Sequence, residues 1–219
     1  MTQQEISDKI ATFFERYPRH EFDKQQIIIR AGQAQGDVFY IAKGRVNQYD
    51  ITPSGNEVVV NVFKPGAYFP MSSAINDIPN IYFFEASIKT VIFKAPAHDA
   101  VAFVKNNPDV MFDLLSRVYK GADGILRRMA HLMGGDAESR LLFELLNAAR
   151  RFGQSRPDGS VHVTLNEGDL GRHAGLARET VSRCLQDLKT RGLIAVGVGR
   201  SGITIRDMSQ LEKKLGAAL

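Results

Sequence analysis

The strongest constraint on this chain is an apolar seam. Between residues 109 and 133, Met111, Leu115, Val118, Ala122, Ile125, Met129 and Leu132 recur at alternating intervals of four and three residues. A strand cannot use that period. The spacing predicts one long helix with a heptad seam running through about three repeats. Pro108 suits its first turn, and Gly134-Gly135 stops it and makes a hinge. A seam of that length asks for a partner helix, most simply its own copy, so these seven residues are the expected homodimer interface. Packing on the chain's own sheet is the other reading. Gly121 and Gly124 each weaken the helix by about 1 kcal/mol relative to alanine. Close backbone approach at the seam would offset that cost.

The helix separates two dissimilar stretches. Before it, Ile6 to Tyr17 carries Ile6, Ile10, Phe13 and Phe14 at helical spacing, and Pro18 ends the segment. From Gln25 to about Phe93 the pattern is one of strands: Ile27–Ile29, Val38–Ile41, Val58–Phe63 and Thr90–Phe93. Turn residues at Gly32, Gly36, Gly44, 53–56 and 64–66 separate them. Many short strands at close spacing predict a β-sandwich or jelly roll.

After the seam, Glu138 to Arg151 is helical, a turn follows at 155–159, and Val161 to Leu165 alternates like a strand. Asn166 and Asp169 have the spacing of a capping box, with Asp in place of the preferred Glu or Gln. A short helix then meets a tight turn at Gly175-Leu176-Ala177, with Gly175 where a left-handed backbone is wanted. A second helix runs from Arg178 to Thr190. Val181, Cys184, Leu185 and Leu188 fall at i, i+3, i+4 and i+7 and form its buried face. Arg178, Glu179, Ser182, Arg183 and Gln186 cluster on the other face.

Two short helices joined by such a turn make a helix-turn-helix, whose second helix can enter a DNA major groove, with a generic helical hairpin carrying a solvated charged face as the other reading. Arginine can bond guanine O6 and N7 together, and glutamate can accept from cytosine N4. Two further strands between Leu193 and Ile205 would make a wing, with Arg200 at its tip against phosphate. The expected architecture is α+β: a β-sandwich domain over 1–107, a dimerisation helix and hinge over 108–135, and a winged helix-turn-helix over 136–219.

Composition removes several alternatives. The chain has 219 residues, 44% hydrophobic, enough for two cores. No run approaches the ~18 apolar residues of a membrane helix, and the polar segment Met1 to Lys9 is not a secretory signal. These features and the lone Cys184 imply a reducing, cytoplasmic setting without an intramolecular disulfide or a cysteine-ligated cluster built within one chain. Residues 136–219 carry 13 Lys and Arg against 10 Asp and Glu, a mild basic bias compatible with a polyanion partner. A metalloenzyme on a cupin-like barrel would need converging histidines, and Gln25 to Phe93 contains none. No metal site and no catalytic constellation is expected. The rival to a DNA-binding role is a regulatory module that binds a small effector without touching DNA.

The stretch 175–183, Gly-Leu-Ala-Arg-Glu-Thr-Val-Ser-Arg, resembles the recognition-helix signature of the Crp/Fnr family of transcription regulators. Asn107-Pro108-Asp109, Asp136 and the segment 36–44 also match that family, so the resemblance covers nearly the whole chain. It implies a cyclic-nucleotide-binding-like sandwich and a homodimer on palindromic promoter sites. RNA polymerase is an implied partner, touched through a loop such as Gln154 to Ser160. It also implies base or phosphate contacts by Arg178, Glu179, Ser182 and Arg183, with Asn166 as a phosphate anchor. Ser182 is similar to the Fnr branch, which implies TTGA-type rather than GTGA half-sites.

The same resemblance implies a sensor pocket around Met71, Ser72, Ser73, Tyr82, Phe84, Glu85, Ile125 and Leu126. Its contents depart from the family's cAMP cassette. Pro70-Met71 stands where Gly-Glu is expected, and the Arg-Ser position falls among Phe83, Phe84 and Glu85. Ile125-Leu126 replaces the Thr-Ser pair that reads adenine. No Lys or Arg lies between Gly66 and Lys89, and a buried phosphate without a cation costs several kcal/mol. Tight cAMP binding is therefore not expected. The family's iron–sulfur type needs four cysteines, and its haem type needs an axial histidine that the scattered His20, His98, His131, His162 and His173 do not supply. No cofactor is expected. Tyr68, Phe69, Met71, Tyr82, Phe83 and Phe84 are expected to fill the sandwich core, with a pocket for an unknown effector as the other reading.

Overall fold

The computed structural model describes residues 2–34, 36–53, 55–197 and 202–216. It divides the chain into two units, Met1–Gly121 and Ala122–Leu219, so the division falls inside the long helix. In the first unit, helix α1 (Gln3–Phe14) opens on a capping box. Thr2 Oγ1 accepts the Glu5 amide at 3.3 Å, and Glu5 Oε2 accepts the Thr2 amide at 2.7 Å. The helix ends three residues before the expected Tyr17. The residue before a proline is pushed out of helical backbone, so the chain leaves the helix ahead of Pro18.

Eight strands follow: β1 (Arg19–Phe22), β2 (Ile27–Ile29), β3 (Asp37–Lys43), β4 (Val46–Ile51), β5 (Glu57–Phe63), β6 (Tyr68–Phe69), β7 (Phe83–Ala86) and β8 (Thr90–Pro96). They make two antiparallel four-stranded sheets, β1-β8-β3-β6 and β2-β7-β4-β5. The predicted sandwich is present, although β1, β4, β6 and β7 were not among the expected strands. β1 lies at a sheet edge with three of its four residues exposed, so it carries no apolar alternation to read.

Alternation along β3 organises two cores. Phe39 and Ile41 point between the sheets, joining Ile29, Val46, Phe69, Phe84 and Ile92. Val38 and Tyr40 point the other way, onto α1, α2 (Met71–Asn76), α3 (Ala97–Lys105) and the start of α4 (Pro108–Gly134). Ile10, Phe14, Ala100, Val104 and Val110 complete that second core.

The second unit is built on α5 (Ala137–Phe152), capped by Asp136, whose Oδ1 accepts the Ser139 amide at 2.8 Å. It continues with β9 (Gln154–Ser155), β10 (Val161–Val163), α6 (Glu167–Ala174), α7 (Arg178–Thr190), β11 (Ile194–Val196), β12 (Ile203–Ile205) and α8 (Met208–Leu215). Its sheet has the order β11-β12-β10-β9. Leu141, Leu142, Leu145 and Leu146 of α5 form the floor of its core, against which Leu170, Val181, Leu185 and Leu188 pack.

Candidate nucleic-acid interface

The hairpin α6–α7 forms as its sequence predicts. Asn166 Oδ1 accepts the Asp169 amide at 2.9 Å, and Asp169 Oδ2 accepts the Asn166 amide at 3.2 Å. Asn166 is half-buried, and this cap occupies its side-chain oxygen. Gly175 ends α6 at φ 61° and ψ 41°, the left-handed conformation that glycine adopts without strain. The turn then folds back so tightly that the Leu176 amide donates to the Gly171 carbonyl at 3.1 Å. A Cβ on Gly171 would sit 2.9 Å from the Leu176 oxygen. Gly171 was not singled out from the sequence; a glycine inside a helix, four residues before the turn glycine, was the available signal.

On α7, Val181, Leu185 and Leu188 are buried. Cys184 is only half-buried, because its helical position lies about 60° off the centre of that face. Partial burial raises its thiol pKa, with Arg183 opposing that shift. Arg178, Glu179, Ser182, Arg183 and Gln186 are all exposed on the far side. Among the described residues their side chains form no hydrogen bond or ion pair, so their polar groups remain available to an outside partner. Ala177, at the N-cap of α7, supplies no side-chain acceptor, which leaves the first-turn amides uncapped. β11 and β12 pair in register from Ile194↔Ile205 to Val196↔Ile203. Arg200 lies outside the described residues.

Two arginines that sequence reasoning passed over hold the hairpin from behind. Arg140 of α5 donates through Nη2 to the Ala174 carbonyl at 2.7 Å and to the Gly175 carbonyl at 3.1 Å. Arg128 of α4 donates through Nη2 to the His173 carbonyl and through Nε to Glu144 Oε1. No spacing rule connects residues 128, 140 and 173, so only the folded chain reveals them.

The expected sensor residues are distributed across different surroundings. Met71 belongs to the helix-side core. Phe84 stacks on Phe69 between the sheets at 4.8 Å, and Tyr82 packs against that core. Phe83 instead stacks on Tyr49 at 5.2 Å. Ser73 and Glu85 are buried and Ser72 is exposed. Arg117 is the guanidinium the fold brings to the Gly66 segment. It donates through Nη1 to the Gly66 carbonyl at 2.9 Å and through Nε to Asp113 Oδ2 at 2.7 Å. Ile125 and Leu126 are exposed on the part of α4 that belongs to the second unit.

Met111, Leu115, Val118, Ala122, Ile125 and Met129 of the predicted seam are exposed, and Leu132 is half-buried. A second exposed column runs beside them at seven-residue intervals: Phe112, Tyr119, Leu126 and Met133, the last 83% accessible. Its signal was the apolar fill of the position flanking a heptad seam. Apart from the helix's own neighbouring backbone, no described residue lies within 4 Å of where a Cβ on Gly121 or Gly124 would sit. No described helix is long and apolar enough to cross a membrane, and the described residues hold no cluster of metal-ligating side chains.

Comparison with known proteins supplies the remaining information. Residues 19–107 match the cyclic nucleotide-binding domain family, and residues 139–214 match the Crp-like helix-turn-helix domain family. An anaerobic regulatory protein of Haemophilus influenzae is 26% identical over 99% of this chain and 82% of its own length. The cAMP-activated global transcriptional regulator CRP of Pasteurella multocida is 22% identical over 89% of this chain and 93% of its own. Among solved structures, FixK2 from Bradyrhizobium japonicum superimposes with a TM-score of 0.77 at 23% identity, covering 92% of this chain and 98% of that one. That last likeness shows the fold. The two domain matches, in the order found here and with relatives that are regulators, place the chain in the Crp/Fnr family of DNA-binding transcription regulators.

Proposed function

We propose that the protein acts as a homodimer on promoter sites made of two inverted half-sites. The observation that carries this reading is the two-faced recognition helix. Val181, Leu185 and Leu188 fix one side in the core, while Arg178, Glu179, Ser182, Arg183 and Gln186 face outward with uncommitted polar groups. Glu179 and Arg183 lie four residues apart on that face and suit the cytosine and guanine of one base pair. Arg178, beside the uncapped first turn, suits phosphate or the outer base, and Asn166 and Arg200 complete the backbone contacts. The exposed seam on α4 supports pairing, because a contiguous apolar stripe of this size asks for cover. Two-fold pairing would present two recognition helices about one DNA turn apart.

The half-sites are of TTGA type, on the strength of Ser182. Selecting bound DNA from a random pool, with and without cell extract, tests this. Inverted TTGA-type repeats are expected; GTGA half-sites would refute the assignment, and no enrichment would refute the site reading altogether.

cAMP does not control the protein on this reading. The sensor segment supplies no cation between Gly66 and Lys89, and Arg117 is already engaged by Asp113 and the Gly66 carbonyl. Calorimetry is expected to show no binding at micromolar cAMP. The protein works in the cytoplasm and meets RNA polymerase through the turn within Gln154–Ser160, where Asp158 Oδ1 accepts from both the amide and the hydroxyl of Ser160.

A further inference from the structure

The recognition hairpin is tied to the long helix by a buried charged network that neither domain match assigns. Glu144 of α5 is 2% exposed. Arg128, on the stretch of α4 in the second unit, donates through Nε to Glu144 Oε1. The same guanidinium donates through Nη2 to the His173 carbonyl in the last turn of α6. The His173 ring closes the group, with Nδ1 3.8 Å from Glu144 Oε2. One turn further along α4, the His131 ring stacks on Phe143, with centroids 4.4 Å apart.

Physical chemistry gives this arrangement a direction. The last carbonyls of a helix have no partner inside it and carry its negative end, so a guanidinium there is favourable. Arg140 already serves Ala174 and Gly175 from α5. Arg128 adds a bond from a different helix, one that also carries the apolar seam. A planar guanidinium can satisfy a carboxylate and a carbonyl at once; an ammonium is a single point charge and cannot hold both in fixed geometry. Burial pushes the Glu144 carboxyl above its ordinary range, while Arg128 and Arg151 oppose that shift.

We infer that Arg128 is a positioning residue for DNA recognition: through Glu144 and the His173 carbonyl it fixes the recognition hairpin against the seam-bearing stretch of α4. It touches no base. Its effect rests on the homodimer proposed above, since the angle between hairpin and α4 matters only when two hairpins must meet one duplex together.

The test uses the full chain and three measurements: thermal unfolding, sedimentation, and affinity for duplexes with two half-sites, one half-site or none. Arg128→Lys keeps the charge beside Glu144. It is expected to retain dimer and melting temperature while losing about tenfold or more in affinity for two half-sites, with one-half-site and non-specific affinity nearly unchanged. Arg128→Met alone removes the hydrogen-bonded charge partner of a buried carboxylate, leaving only the field of Arg151, and is expected to lower the melting temperature. Arg128→Met combined with Glu144→Gln removes that charge. It should recover the melting temperature without recovering two-half-site affinity. A purely structural role would return affinity together with stability, so wild-type affinity in either stable variant overturns the proposal. If the wild type itself gains nothing from a second half-site, the homodimer reading fails, a result distinct from any behaviour of the variants.

Discussion

The sandwich and the recognition hairpin handle side-chain chemistry in opposite ways. In the sandwich, Phe39, Phe63, Phe69 and Phe84 stack on one another between the sheets, and the guanidinium that reaches it, Arg117, is bonded to Asp113 and the Gly66 carbonyl. In the hairpin, the apolar side chains form only an underside, while five polar residues of α7 stand in solvent without a side-chain hydrogen bond or ion pair among the described residues. A region whose side chains are spent mainly on packing against one another is a scaffold until a cavity of defined chemistry is found in it. A region that holds charged groups ready in fixed geometry is prepared for a partner, and mutation should separate the two.

The largest effect is expected from Phe84→Ala, which empties a fully buried site in the first unit. It should cost about 3–5 kcal/mol of stability, read by denaturant unfolding, yet leave the preferred DNA sequence of the folded fraction unaltered. A changed sequence preference would break the contrast drawn above.

Placing charge in the seam comes next. Val118→Glu together with Ile125→Glu should dissociate the proposed dimer in sedimentation and lower affinity for two half-sites by about a hundredfold or more, with both units remaining folded.

Single truncations on the hairpin's outer face are smaller and more informative. Arg183→Ala or Glu179→Ala should each cost about 1–3 kcal/mol of specific binding and relax selection at one base pair. Melting temperature should not move, since neither side chain bonds to another described residue. Arg178→Ala should weaken binding across all sequences and flatten its salt dependence.

The smallest effect is at Asp136. Removing this cap by Asp136→Ala should cost about 1 kcal/mol. The Ser139 amide holds the Asp136 carboxyl below its ordinary pKa. Its contribution is therefore complete above the unfolded value of 3.8 and is lost as pH falls through the lower folded value. Asp136→Asn keeps an acceptor for the cap but should remove that share of the acid sensitivity.

What the sequence disclosed follows the same divide. The long helix that carries the seam, α5, the capping box at Asn166, the turn at Gly175 and, Cys184 apart, the faces of α7 all rest on local periodicity or single-residue backbone preference, and they stand in the structure. The edge strand Arg19–Phe22 had no alternation to betray it. α3 was missed because its run from Ala97 is only nine residues long and follows the strand without a turn signal beyond Pro96. Cys184 shows the limit of an i, i+3, i+4, i+7 template, which treats its four positions as equally deep. Arg128 and Arg140 were invisible for another reason. Each acts on a carbonyl more than thirty residues away, and a backbone oxygen leaves no mark in a sequence.

The two units meet within a single unbroken helix, between Gly121 and Ala122. In such a rod every residue advances the azimuth by about 100°. One inserted residue at that junction would swing the far half of the stripe nearly a right angle away from the near half. Seven inserted residues would restore the phase to within about 20°. For a stripe that pairs as proposed, length variation there is constrained by angle rather than by distance: an octave-like repeat would be tolerated where a single added step would not.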